Sequence, residues 1–134
     1  MVLEPGEEPV QALTEFARAH DIHAAQITAV GAFTDAVVGW FDREKRDYQP
    51  ISVEEQCEVL SLVGDIAEGD EGPAPHLHVV LGMSDGQTRG GHLLRGHVWP
   101  TLEVVVRRVR PSLNKVYHPD LGLALIEPEQ RHTS

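Results

Sequence analysis

Three histidines in the middle of the chain have the residue type and spacing of a metal site. Pro75-His76-Leu77-His78 is followed, beyond a turn, by Gly90-Gly91-His92. On a β-strand, side chains i and i+2 share a face, so His76 and His78 point the same way. Between them and His92 lies Met83-Ser84-Asp85-Gly86-Gln87, and Asp-Gly between apolar segments signals a hairpin. A loop of Ser84, Asp85 and Gly86, with Gly86 in the left-handed position, pairs Met83 with Gln87. That register sets His78 directly opposite His92, with Cβ atoms roughly 5 Å apart. Three imidazoles from two strands then face one point, a donor set that suits Zn²⁺ or another borderline metal. The plain alternative is a set of half-buried strand histidines bonded to backbone carbonyls, and a one-residue slip would turn His92 to the other face.

A structural zinc site is closed by four protein ligands, whereas a catalytic one keeps a position open. No fourth ligand is evident; Cys57 and Glu103 close the shell only if folding brings them near. His97, beyond Gly96, is expected to be a supporting or ordinary polar residue. His20, His23, His118 and His132 carry no ligand spacing. Asp65 to Pro75 reads as an acidic, Gly/Pro-rich loop carrying Asp65, Glu68, Asp70 and Glu71. It is expected to be a solvated surface segment, with a lid over the histidines, or a supporting contribution beside them, as the functional alternative. Gly-x-Ser-x-Gly and a phosphate-cradling Gly-rich loop are both absent, and Cys57 has no cationic neighbour in sequence, so nucleophilic catalysis has little support.

A chain of 134 residues is one domain with room for a core. No apolar run approaches the ~20 residues of a membrane span, and Met1 to Glu8 lacks the features of a signal peptide. The single Cys57 excludes an internal disulfide. A cytoplasmic location is the resulting expectation. The net charge of −10 opposes non-specific nucleic-acid binding, which works by neutralising phosphates. Arg107, Arg108 and Arg110 form the one tight basic cluster, and adjacent strand residues face opposite ways.

Positioning the histidines requires a sheet. Pro9 suits the first position of a helix, and Val10, Leu13, Phe16 and Ala17 repeat at helical spacing to about His20. Strands are predicted over 2–4, 24–30, 35–42, 48–53, 58–66, 76–83, 87–95, 102–110 and 121–126, with Gly31 and Gly39 as bends, 43–47 as a turn and 129–134 as a frayed tail. Many short strands with one helix indicate an α+β domain over 1–128, mostly antiparallel. Val59 to Val63, Leu77 to Leu81 and Val104 to Val106 are apolar on both faces, which a closed barrel or a subunit interface would accommodate.

The pattern Leu62-Val63-Gly64-Asp65, Pro75-His76-Leu77-His78-Val79-Val80-Leu81-Gly82, Asp85-Gly86, Gly90-Gly91-His92-Leu93-Leu94, Gly96 and Val98 resembles the PPC domain family (plants and prokaryotes conserved, or domain of unknown function 296). The likeness extends to the N-terminal helix, Ala29-Val30-Gly31-Ala32, Gly39-Trp40-Phe41-Asp42 and Gly122-Leu123. It implies a β-rich, partly barrel-like domain with a flanking helix, assembled as a homotrimer. Plant members grip AT-rich DNA with a separate basic hook that this chain lacks, so direct DNA binding is not carried over, although prokaryotic relatives bear a DNA-binding label. Prokaryotic members with the same His pattern resemble metal carriers, which maps onto His76, His78 and His92. The fold also resembles acetolactate decarboxylase, where three His hold zinc, a fold-level analogy only.

The resulting expectation is a trimeric zinc-binding protein with an open coordination position for a small molecule, in the manner of a lyase or hydrolase. The alternative is a non-catalytic regulatory or interaction module.

Overall fold

A computed structural model describes residues 1–110 and 113–128. The tail expected at 129–134, with His132, lies outside the described residues. The elements are β1 (Val2–Leu3), α1 (Pro9–Ala19), β2 (Ala24–Asp42), β3 (Asp47–Val53), β4 (Cys57–Gly69), β5 (Gly72–Gly82), β6 (Thr88–Arg108), β7 (Lys115–His118) and β8 (Leu123–Ile126). All the strand pairs are antiparallel.

The main sheet runs β1-β6-β5-β4-β2-β3, and β6 also pairs with β2. That second pairing joins β2, β4, β5 and β6 into a ring. The ring's interior holds the large buried side chains, among them Phe33, Ile27, Leu62, Leu77, Leu93 and Leu102. Helix α1 adds Leu13 and Ala17, both fully buried. Its start is fixed by Pro9 in the first turn and by the Glu8 carboxylate, which accepts from the amides of Val10 and Gln11.

Three expectations about the strands need correction. The segments 24–30 and 35–42 are one strand, and so are 87–95 and 102–110. Gly31 does not end β2; it marks a register shift, and a Cβ there would run into the Thr101 carbonyl of β6. Gly39 likewise lies within the strand, where a Cβ would meet the Tyr48 ring at 2.8 Å. Both glycines are close-approach positions rather than bends. The acidic segment 65–75 is also not a loop: β4 and β5 stay paired to Gly69 and Gly72, leaving only Asp70 and Glu71 at the tip. Proline is tolerated in β5 because Pro73 and Pro75 lie where that strand pairs with β4 alone; the β6 pairing begins at His78. Sequence periodicity also missed β7.

Closing the ring leaves the outer face of the sheet apolar and exposed. Val63 of β4 and Val105 of β6 are 51% and 63% exposed, both flank Thr28 of β2, and Val80 and Leu60 are exposed as well.

Candidate metal centre

The hairpin forms as the turn chemistry requires. Gly86 takes φ 82°, its amide donates to the Met83 carbonyl at 2.9 Å, and the Met83 amide donates to the Gln87 carbonyl at 2.8 Å. His78 then pairs with His92. His76 is paired with Asp65, and His78 with Val63. Leu77, Val79 and Leu81 fill the core face of β5, so His76 and His78 stand on the opposite face, as strand alternation demands.

Each of His76, His78 and His92 offers one ring nitrogen to a cluster in which these atoms lie within 4.8 Å of one another. His76 Nε2 and His78 Nε2 are 3.1 Å apart. Two nitrogens bound at ~2.1 Å to a tetrahedral ion sit roughly 3.4 Å apart, so this pair already has ligand spacing. His92 Nδ1 is buried and has no hydrogen-bond partner among the described residues. Such an orphan costs about 1–3 kcal/mol. The Tyr48 ring stacks on the His92 ring at 4.4 Å, held beside it by the absence of a side chain at Gly39.

Burial favours the neutral form of two of these rings, His76 and His92. Burial pushes the His92 pKa down to about 4, helped by the nearby His76, His78 and Lys115 charges. Burial also lowers His76, against the pull of Asp65. Neutral imidazole is the ligand form. The residues therefore fit a borderline divalent ion by donor type, spacing and protonation.

A cavity of about 550 Å³ opens over the cluster, lined on one side by Trp40, Phe41 and Tyr48 and on the other by Lys115, Leu123 and Leu125. The second wall is the β7–β8 hairpin. It is anchored where the Glu68 amide donates to the Leu113 carbonyl at 2.7 Å and Glu68 bridges Asn114. Lys115 turns inward: its side chain is 10% exposed, with Nζ 3.8 Å from Asp65 Oδ1 and 3.4 Å from the Ala74 carbonyl. Burial lowers its pKa, opposed by Asp65. Asp65, expected in a solvated loop, instead lies on β4 with its carboxylate beside Lys115. Lys115 and Tyr48 carried no sequence signal, because each reaches the site only through the pairing of another strand.

The other candidates stay apart. Cys57 is buried opposite Phe33, and Glu103 pairs with Val2 and Val30, whereas His92 faces Gly39, further along β2. Neither joins the cluster. His97 binds the Asp35 carboxylate at 2.9 Å, and His118 pairs with Glu127.

A ring-like antiparallel sheet with one flanking helix and a three-imidazole cluster on its outer face defines the class of domain. The chain belongs to the Plants and Prokaryotes Conserved (PCC) domain family, whose model matches residues 1–110. Among solved structures, it is 29% identical to a plant- and prokaryote-conserved (PPC) protein of Pyrococcus horikoshii, with a TM-score of 0.89 and coverage of 96% of this chain and 89% of that one. A metal-containing protein of Archaeoglobus fulgidus is 34% identical, with a TM-score of 0.86 and coverage of 96% and 91%. A Ralstonia eutropha protein named as a candidate DNA-binding protein is 26% identical, with a TM-score of 0.87 and coverage of 96% and 89%. The bifunctional protein GlmU of a Synechococcus strain is 32% identical over 106 residues, 78% of this chain; the chain spans 16% of that protein's length.

Proposed function

We propose that this chain holds a divalent metal ion, zinc first, on His76, His78 and His92, with a coordination position open to a small molecule in the adjoining cavity. The observation that carries this reading is the convergence of three imidazoles, their ligand atoms within 4.8 Å of one another, beneath a largely apolar cavity. The metal-containing Archaeoglobus fulgidus relative supports it. A metal bound there would polarise a carbonyl or lower a bound water's pKa toward ~7, the chemistry of a small-molecule lyase or hydrolase. The chain's own contributions are physical: Tyr48 fixes the His92 ring, burial keeps His76 and His92 unprotonated, and the aromatic wall excludes water from an apolar guest.

The working unit of this reading is a cytoplasmic homotrimer. Val63, Val80, Leu60 and Val105 expose apolar area of the kind that marks association surfaces. Sedimentation should give a particle near three times 14.8 kDa; a monomer would end this part of the reading. For the metal, elemental analysis should find about one divalent ion per chain in the purified protein, and none in the triple His76→Ala, His78→Ala, His92→Ala variant. Equal metal content in the two would sink the assignment.

The second reading is a non-catalytic interaction module, favoured by the DNA-binding description of the Ralstonia eutropha relative. The charge argues against direct contact, since −10 per chain becomes −30 for three and repels phosphate at physiological salt. Titration of labelled duplex should show no binding; submicromolar affinity would reverse the ranking.

A further inference from the structure

We propose that the cavity selects small monocarboxylates with an apolar body, and that Lys115 is the residue that reads the carboxylate. This rests on the metal reading and names the ligand class for that site. Lys115 is the one cationic side chain among the described residues lining the cavity. An ammonium has three N–H donors, and here they are poorly used. One long contact of 3.4 Å reaches the Ala74 carbonyl, and the Asp65 carboxylate at 3.8 Å is beyond hydrogen-bonding distance. Asp65 Oδ1 has no hydrogen-bond partner among the described residues. The Asp65 carboxylate offsets this ammonium only at 3.8 Å, so with a divalent ion on the three histidines the pocket would carry net positive charge in a chain of net charge −10.

The remaining lining decides the rest of the ligand. Trp40, Phe41, Leu123 and Leu125 offer apolar surface, and no arginine lies among the lining residues. One ammonium matches one negative charge, whereas a phosphate ester would call for further donors. The volume of about 550 Å³ is within the usual range for a small-molecule site. Lys115 lies on β7, past the 110 residues that the family model matches, so selection by charge is a property of the hairpin wall rather than of the three-His strands.

The test is calorimetric titration of the zinc-loaded full chain with hydrocinnamate and with hydrocinnamyl alcohol, which share a body and differ in charge. The acid should bind at least about tenfold more tightly, the range for a hydrogen bond to a charged group. Lys115→Met should remove about that factor for the acid and leave the alcohol unchanged. Lys115→Arg should restore it, and Asp65→Asn, which removes the competing carboxylate, should strengthen it. Equal binding of acid and alcohol, no binding of either, or an unaltered acid affinity in Lys115→Met would overturn the proposal. Zinc content, measured on each sample, reports separately on the metal reading. Protein that takes up no zinc refutes that reading, and the acid–alcohol difference measured without zinc then still decides the role of Lys115.

Discussion

The cluster of His76, His78 and His92 and the cluster around His23 show what surroundings do to one residue type. Both gather histidine with polar neighbours. In the first, the rings face one another and an apolar cavity, and burial drives His92 down to about 4 and lowers His76. In the second, His23 is solvent-exposed and lies between two carboxylates, Nδ1 at 2.5 Å from Glu68 and Nε2 at 2.6 Å from Asp21. The Glu68 and Asp21 hydrogen bonds raise its pKa. Protons are therefore disfavoured on His76 and His92 and attracted to His23. A metal competes with protons for imidazole lone pairs, so the cluster that rejects protons is the one prepared for a metal. Three histidines whose ring nitrogens face one another make a ligand set; one histidine hydrogen-bonded to two acids makes an ion pair.

The largest effect should come from disturbing the first cluster without touching an imidazole. Gly64 pairs with Leu77, between the Asp65–His76 and Val63–His78 pairs. A Cβ at Gly64 would run into the His76 carbonyl. The backbone there has no flexible side chain to yield, so Gly64→Ala must push β4 and β5 apart where they set His76 against His78. Urea unfolding of Gly64→Ala should show a loss of about 3 kcal/mol, and elemental analysis should show the metal gone. Wild-type stability and metal content would mean that the 76–78 geometry is not held by this pairing.

A smaller effect, of opposite sign in the two clusters, concerns pH in the metal-free protein. His92 titrates near 6.5 when unfolded and about 4 when folded, so between those values the unfolded chain binds more protons. Stability therefore falls as pH drops from 6.5 toward 4. Allowing for solvent screening of a half-buried ring, this is about 1–2 kcal/mol. Removing the titration with His92→Gln should flatten the acid limb of the urea midpoint against pH between about 5 and 7. A parallel displacement of the whole curve would show that His92 is not desolvated in solution.

Much of this was legible in the sequence, and the rest failed for specific reasons. The His trio and its register followed from period-two alternation and Asp85-Gly86, both local signals. Helix α1 followed from Pro9 and its apolar spacing. The extent of the long strands did not, because Gly31, Gly39, Pro73 and Pro75 serve as punctuation in a sequence, while here they permit close approach or unpaired edges. Lys115 and Tyr48 could not be assigned to the site, and Asp65 entered only as the less favoured alternative to a solvated loop, since their proximity depends on β4, β7 and the β2–β3 pairing rather than on spacing. The His23–Glu68 contact spans 45 positions, and no short-range pattern reports such a pair.

The smallest expected effect tests whether the second cluster serves the first. Glu68 receives the His23 ring through its side chain, and its amide donates to Leu113 at the root of the β7–β8 hairpin. The exposed ion pair therefore sits on the residue that anchors the wall carrying Lys115. Because the folded pKa of His23 is raised, its contribution is fully present below the unfolded value of about 6.5 and is lost as pH rises through the folded value. It should also fade with added salt, as exposed pairs do. In His23→Gln the Glu68 amide should exchange with solvent a few-fold faster at pH 6, with the difference vanishing at pH 9 and in ~1 M salt. Metal content should stay at the wild-type level, because no ligand moves. A difference that persists at high pH would show that the imidazole packs as a neutral spacer, and a loss of metal would show that the hairpin anchor, rather than the strands alone, sets the His76–His78–His92 geometry.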